Sequence, residues 1–157
     1  MERRIRLLLI LILVMAITIG CSDAKKNNAA PANTAQLEQT LEYLGELTNI
    51  YVSMYEALQK DQAKPAEIIS DLKKLEAQLA AALSALPKEQ PTEAEAALLY
   101  QWATAKGEAV ALAHSELEKL ANYTGEITLQ LYDAFWTAME KCFEYQFLYL
   151  EHLKSKQ

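Results

Sequence analysis

The sequence predicts an all-α protein: an antiparallel up-down-up-down four-helix bundle behind a cleaved signal peptide and a flexible tether. Three observations predict it. From residue 34 onward Ala, Leu, Glu, Gln and Lys dominate, a helix-favouring composition. Apolar residues recur there in steps of three and four over four stretches of roughly 22 to 30 residues. The residues that end helices fall mostly between those stretches, with Pro at 31, 65, 87 and 91 and Gly125 before the last one.

Residues 1–20 have the three parts of an export signal. Arg3, Arg4 and Arg6 give a basic start, Leu7 to Ile19 an apolar run of 13 residues, and Gly20 a small residue before a cut. The run falls short of the roughly 20 residues that a membrane-spanning helix needs, so cleavage is expected. Thr18-Ile19-Gly20-Cys21 then closes the apolar run and opens a polar one. This stretch resembles the lipobox of bacterial lipoproteins, with Thr18 where that pattern usually has Leu. The resemblance implies a diacylglyceryl thioether on Cys21, with fatty acyl chains such as palmitate, as the first residue of the mature chain. Several acyl chains at about 0.8 kcal/mol per buried methylene hold a protein stably at a membrane. Ser22 follows in place of the Asp that marks inner-membrane retention. The implied address is therefore the outer membrane facing the periplasm where a host has two membranes, and otherwise the outer face of the cytoplasmic membrane.

Ser22 to Asn33 has no apolar periodicity and reads, with Cys21, as a tether. As a coil its twelve residues reach about 20 Å. Residues 34–157 remain for one bundle domain, a size that suits a single core.

The first helix is expected over Thr34–Asp61, with Asn33 and Gln36 as a capping pair. Leu37, Leu41, Leu44, Thr48, Tyr51, Tyr55 and Leu58 form its seam. A second row of Tyr43, Leu47, Ile50 and Met54 widens the apolar arc beyond what one neighbour covers. Pro65 suits the first turn of the second helix, and Glu67 complements its N-terminal dipole. Ile68, Leu72, Leu75, Leu79, Ala82 and Leu86 make its seam until Pro87-Lys88-Glu89-Gln90-Pro91 stops it. Thr92 with Glu95 predicts a capping box for the third helix. Its seam of Leu98, Trp102, Ala105, Ala109 and Leu112 then meets Glu116, and the apolar row shifts to Ala113, Leu117 and Leu120. A local change in helix rotation would accommodate that shift. Asn122 to Gly125 breaks the chain. The fourth helix is expected over Glu126–Lys154 and, as the most apolar, to be the most buried. Its seam of Leu131, Phe135, Ala138, Cys142, Tyr145, Tyr149 and Leu153 puts Cys142 in the core. Tyr132, Trp136, Met139, Phe143, Phe147 and Leu150 form a second row. Two long helical hairpins paired across a homodimer would satisfy the same pattern.

The residues that carry chemistry are few. The chain has two His, His114 and His152, and once Cys21 is lipidated only Cys142 remains as a thiol. That excludes an intramolecular disulfide, and the spacing offers no Glu-x-x-His pair, haem attachment motif or zinc cluster, so no metal or cofactor is expected. A thiol on an apolar seam resists ionisation, which argues against a Cys142–His114 nucleophile, and His114 reads as a half-buried polar residue bonded to a neighbour. Beyond Cys21 the chain carries 12 Lys plus Arg against 20 Asp plus Glu, a net charge of −8. An acidic surface argues against nucleic acid as a partner.

What stands out is aromatic density, with eight Tyr, two Trp and three Phe, more than half of them in the fourth helix. The plain explanation is core filling. The sharper one is that the second rows of the first and fourth helices exceed what one bundle buries and form a surface for a partner. The expected function is therefore a non-enzymatic adaptor for another envelope protein. Its binding residues would be Tyr43, Leu47, Ile50, Met54, Tyr132, Trp136, Phe143 and Phe147. The alternative is a carrier or sensor of a small apolar ligand or lipid, in a pocket lined by aromatic residues of the first and fourth helices.

Overall fold

A computed structural model describes residues 32–122 and 133–157. The chain forms α1 (Ala32–Gln59), α2 (Pro65–Ser84), α3 (Ala94–Ala121) and α4 (Asp133–Ser155), with no strand among the described residues. The four-helix, all-α architecture is the one the composition and periodicity predict. The expected start of the last helix at Glu126, the Tyr123–Gly125 break, Leu131 and Tyr132 lie outside the described residues, as does the chain before Ala32.

Local chemistry explains where the helices end. After α1, Asp61 adopts the left-handed conformation at φ 52°. That turn brings the Gln62 N–H to the Ala57 carbonyl at 2.8 Å, so carbonyls left over at the helix end are satisfied without glycine. Pro65 opens α2 as expected, and the Glu67 carboxylate accepts from the Lys64 N–H at 3.0 Å. One expected cap does not form. Helix α3 starts at Ala94 with Glu93 before it, and Glu95 pairs with Lys156 at 2.6 Å instead of closing a box with Thr92. Gln36 donates to the Ala85 carbonyl at 3.0 Å, tying the start of α1 to the end of α2.

Side-chain contacts set the helix directions. Gln36 with Ala85 and Tyr43 with Gln78 run in opposite senses along α1 and α2, which are antiparallel neighbours. Trp102 with Tyr149, Glu108 with Lys141 and Glu116 with Phe135 show the same for α3 and α4. Helices α1 and α3 run parallel, with Leu37 beside Leu99 in one buried cluster and Tyr51 beside His114 about four turns further along both helices.

The third helix is the hub. It packs against each of the other three, whereas among the described residues neither α1 nor α2 brings a Cα atom within 8 Å of α4. This corrects the expectation that the fourth helix is the most buried. Buried residues of α3 include Ala96, Leu99, Ala103, Gly107, Val110 and Ala113, while α4 buries Phe135, Met139, Cys142 and Tyr149. The row break at Glu116 has a different cause from a change in rotation. Ala96, Leu99, Ala103, Val110, Ala113, Leu117 and Leu120 form one seam, on the side of α1 and α2. Trp102, Ala105 and Ala109 belong to a second row towards α4, which fades at Leu112, 38% exposed. Small residues let backbones approach: a Cβ on Gly107 would lie 2.9 Å from Leu83 Cδ2 and 3.4 Å from Leu86 Cδ1.

Candidate binding surfaces

The bundle divides its core into two parts along its length. The larger holds Leu44, Leu47, Tyr51 and Met54 of α1 together with Phe135 and Met139 of α4. The smaller, at the end where the chain enters α1, holds Leu37, Leu41, Leu99, Ala103 and Tyr149, with Leu86 and Leu153 packed on it. Between them the eight residues expected to bind a partner are distributed unevenly.

On α1, Leu47 and Met54 are core residues, 1% and 8% exposed. Tyr43 is half-buried and its hydroxyl donates to Gln78 Oε1 of α2 at 3.3 Å. Ile50 is 40% exposed. It lines an open groove of about 420 Å³ between α1 and α2, with Asn49, Ser53, Met54, Ala57, Ala63, Ile68 and Asp71. On α4, Trp136 and Phe143 are half-buried against the larger cluster, and Trp136 meets the Phe135 ring edge-on at 5.0 Å between centroids. Phe147 is 61% exposed. Tyr132 is outside the described residues. The structure therefore does not join the two second rows into one surface, because α3 keeps the α1 and α4 backbones apart. In the α1 row Leu47 and Met54 turn into the core while Tyr43 and Ile50 face the α2 side; in the α4 row Met139 is buried, Trp136 and Phe143 pack on the larger cluster, and Phe147 and Leu150 turn outward.

Two surfaces result. One is the α1–α2 groove, whose floor of Met54 and Ile68 is buried and whose edge carries Asn49, Ser53 and Asp71. The other is the outer face of α4 near its C-terminus, where Leu148 and Leu150, 48% and 39% exposed, join Phe147. Leu148 belongs to neither helical row: it stands on the polar side of α4, across Glu144 and Glu151 from Phe147. The lysines around this face are paired: Lys154 with Glu151 at 2.9 Å, Lys156 with Glu95 at 2.6 Å and Lys141 with Glu108 at 3.8 Å.

The titratable groups inside the bundle serve packing. The Tyr51 hydroxyl lies 3.0 Å from His114 Nδ1, the neighbour that the half-buried histidine requires. Burial, helped by Tyr43, pushes the Tyr51 hydroxyl up to about 12, so it stays protonated. Cys142 is 1% exposed. Burial raises its thiol, opposed by the Lys106 ammonium and a hydrogen bond with the Trp102 side chain, while burial lowers Lys106. A protonated, enclosed thiol is a poor nucleophile. Among the described residues no three His, Cys, Asp or Glu stand close enough to hold a metal ion. No described helix is long and apolar enough to cross a membrane.

Fold and surfaces together define a four-helix bundle protein with two separate apolar surfaces. No protein-family model matches the chain, and no curated protein or solved structure is found similar to it.

Proposed function

We propose that this chain is a non-enzymatic, lipid-anchored binding module of the bacterial cell envelope, whose α1–α2 groove receives an apolar segment of another envelope protein. The observation that carries this reading is the groove itself. Ile50 stands 40% exposed above Met54 and Ile68, which are 8% and 3% exposed, so an apolar side chain faces solvent over a buried apolar floor. A preformed apolar surface with a few polar groups at its edge suits recognition, because the partner's ordering cost is the only one left to meet. The net charge of −8 beyond Cys21 favours a segment whose apolar side chain is flanked by cationic residues. The Cys21 anchor would hold the groove near its partner and raise their effective concentration.

The test places a photo-crosslinking residue at Ser53, on the edge of the groove, in the full-length chain with and without Ile50→Asp. The variant is expected to keep its helical circular dichroism and urea midpoint and to lose one crosslinked envelope protein. An unchanged set of crosslinks would sink the groove as the binding site. The second reading is a carrier of an apolar ligand, for which the groove, about 420 Å³ and wide open to solvent, would supply one wall. Native mass spectrometry of protein extracted from its host separates the two: a carrier arrives with added mass, a protein-binding module without it.

A further inference from the structure

Acidic charge is concentrated on one of the two helices that form the groove. Helix α1 carries Glu38, Glu42, Glu46 and Glu56 and no lysine or arginine, whereas each of the other three helices carries both signs. Glu56 is paired with Lys60 at 2.8 Å, and Asp71, across the groove, with Lys74 at 2.7 Å. Glu38, Glu42 and Glu46 are exposed, and among the described residues no cation pairs with them. Like charges four residues apart repel on a helix, so the row works against α1 unless something cationic lies along it.

Helix geometry ties this row to the groove. Residues four apart form a ridge on a helix surface, inclined to its axis. Glu38, Glu42, Glu46, Ile50 and Met54 make one such ridge, running from open surface down to the buried floor. At 1.5 Å per residue it spans about 24 Å, with its carboxylates about 6 Å apart along the axis. The ridge beside it is low: Gly45, Asn49, Ser53 and Ala57, the last three of which line the groove. A Cβ on Gly45 would meet no atom within 4 Å, so packing inside the chain does not require glycine there. The Ser53 hydroxyl folds back onto the Asn49 carbonyl at 2.8 Å, which keeps this ridge low. A tall ridge beside a low one leaves a furrow that the side chains of another helix can enter.

We propose that the occupant of the α1–α2 groove is a basic amphipathic helix. It sits in this furrow with its apolar residues over Ile50 and Met54 and its lysines or arginines along Glu46, Glu42 and Glu38. The inference rests on the groove reading above, and gives its partner a chemistry and a direction. The direction follows because the unpaired carboxylates lie on one side of the groove only. A helix suits the furrow because its own residues four apart repeat at the same spacing of about 6 Å, so two ridges interleave along their length. Apolar contact at the floor holds the complex, while the carboxylate row speeds encounter and sets orientation.

The probe is a labelled synthetic helical peptide with two leucines one turn apart and, further along the same face, three arginines at four-residue steps. A control peptide of the same composition carries its arginines on the opposite face. Anisotropy titrations use the full-length chain in detergent as wild type, as Ile50→Ser, which adds no charge, and as Glu38→Gln, Glu42→Gln, Glu46→Gln. The triple variant should bind the probe about tenfold more weakly than the wild type and lose most of the salt dependence. Ile50→Ser should also weaken binding about tenfold, through the lost apolar contact. The control peptide should bind like the triple variant does. Unchanged affinity in the triple variant, with loss in Ile50→Ser, overturns the basic helix and leaves the groove reading standing. Loss in the triple variant with full binding to Ile50→Ser sinks the groove reading and this proposal with it. Equal affinity for the two peptides, or a wild type that binds neither, overturns the proposal as well.

Discussion

Gly107 offers the sharpest test of the packing that makes α3 the hub. A methyl placed there meets Leu83 Cδ2 at 2.9 Å, Leu86 Cδ1 at 3.4 Å and Leu44 Cδ1 at 3.9 Å. Leu83 and Leu86 are half-buried and their terminal methyls can turn outward, whereas Leu44 is 0% exposed and has no space to enter. Gly107→Ala therefore sets a gain of about 0.5 to 1 kcal/mol, from removing glycine from a helix interior, against a small side-chain shift. The net change should stay within about 1 kcal/mol of the wild type, of either sign. Gly107→Leu drives further carbons towards Leu44 and should show the overpacking cost of roughly 1 to 3 kcal/mol. Urea unfolding followed by helical circular dichroism reads both. The midpoints should order as wild type and Gly107→Ala together, with Gly107→Leu clearly lower at an unchanged slope. If Gly107→Leu unfolds at the same urea concentration as Gly107→Ala, α3 does not approach α1 and α2 as described.

Two titrations follow from the buried groups. Glu116 accepts from the Phe135 N–H at 3.4 Å, yet burial raises its pKa above the ordinary 4.5 more strongly than that bond and Lys119 lower it. A carboxyl with a raised folded-state value binds its proton more tightly when folded. Stability should therefore fall as pH rises from 4.5 through the raised value, and Glu116→Gln should flatten that slope in urea midpoints taken across the window. Tyr51, held up to about 12 from 10.0, contributes stability that is complete below 10 and lost as pH rises towards 12. Tyr51→Phe should unfold at a higher pH than the wild type, while costing about 0.5 to 1.5 kcal/mol near neutrality for the lost bond to His114. An alkaline midpoint that does not move would remove Tyr51 as its cause.

Much of the fold was legible because helix periodicity is a local signal. The seam of Ile68, Leu72, Leu75, Leu79 and Ala82 is buried as its spacing implies, and Cys142 lies in the core where its seam put it. The role of α3 was not legible, since Ala103, Gly107 and Ala113 carry little hydrophobic weight in a pattern. Their importance comes from how closely a neighbour approaches, which is a tertiary quantity. The expected cap of α3 failed for a related reason: Glu95 suits a helix start, and it found a partner in Lys156, just past the end of α4, instead. For the binding residues, spacing identified rows in excess of one seam, and Ile50 and Phe147 are indeed exposed. It did not show that Leu47 and Met54 turn into the core, because which neighbour covers a row depends on helix order in space.

The central claim is that a lipid on Cys21 fixes one end of this bundle to a membrane. Metabolic labelling of cells with an alkyne fatty acid, followed by isolation of the wild-type and Cys21→Ala chains, tests it most directly. The account predicts label on the wild type and none on Cys21→Ala, whose precursor stays uncut. Label that persists on Cys21→Ala, or a wild-type chain that carries none, would contradict it.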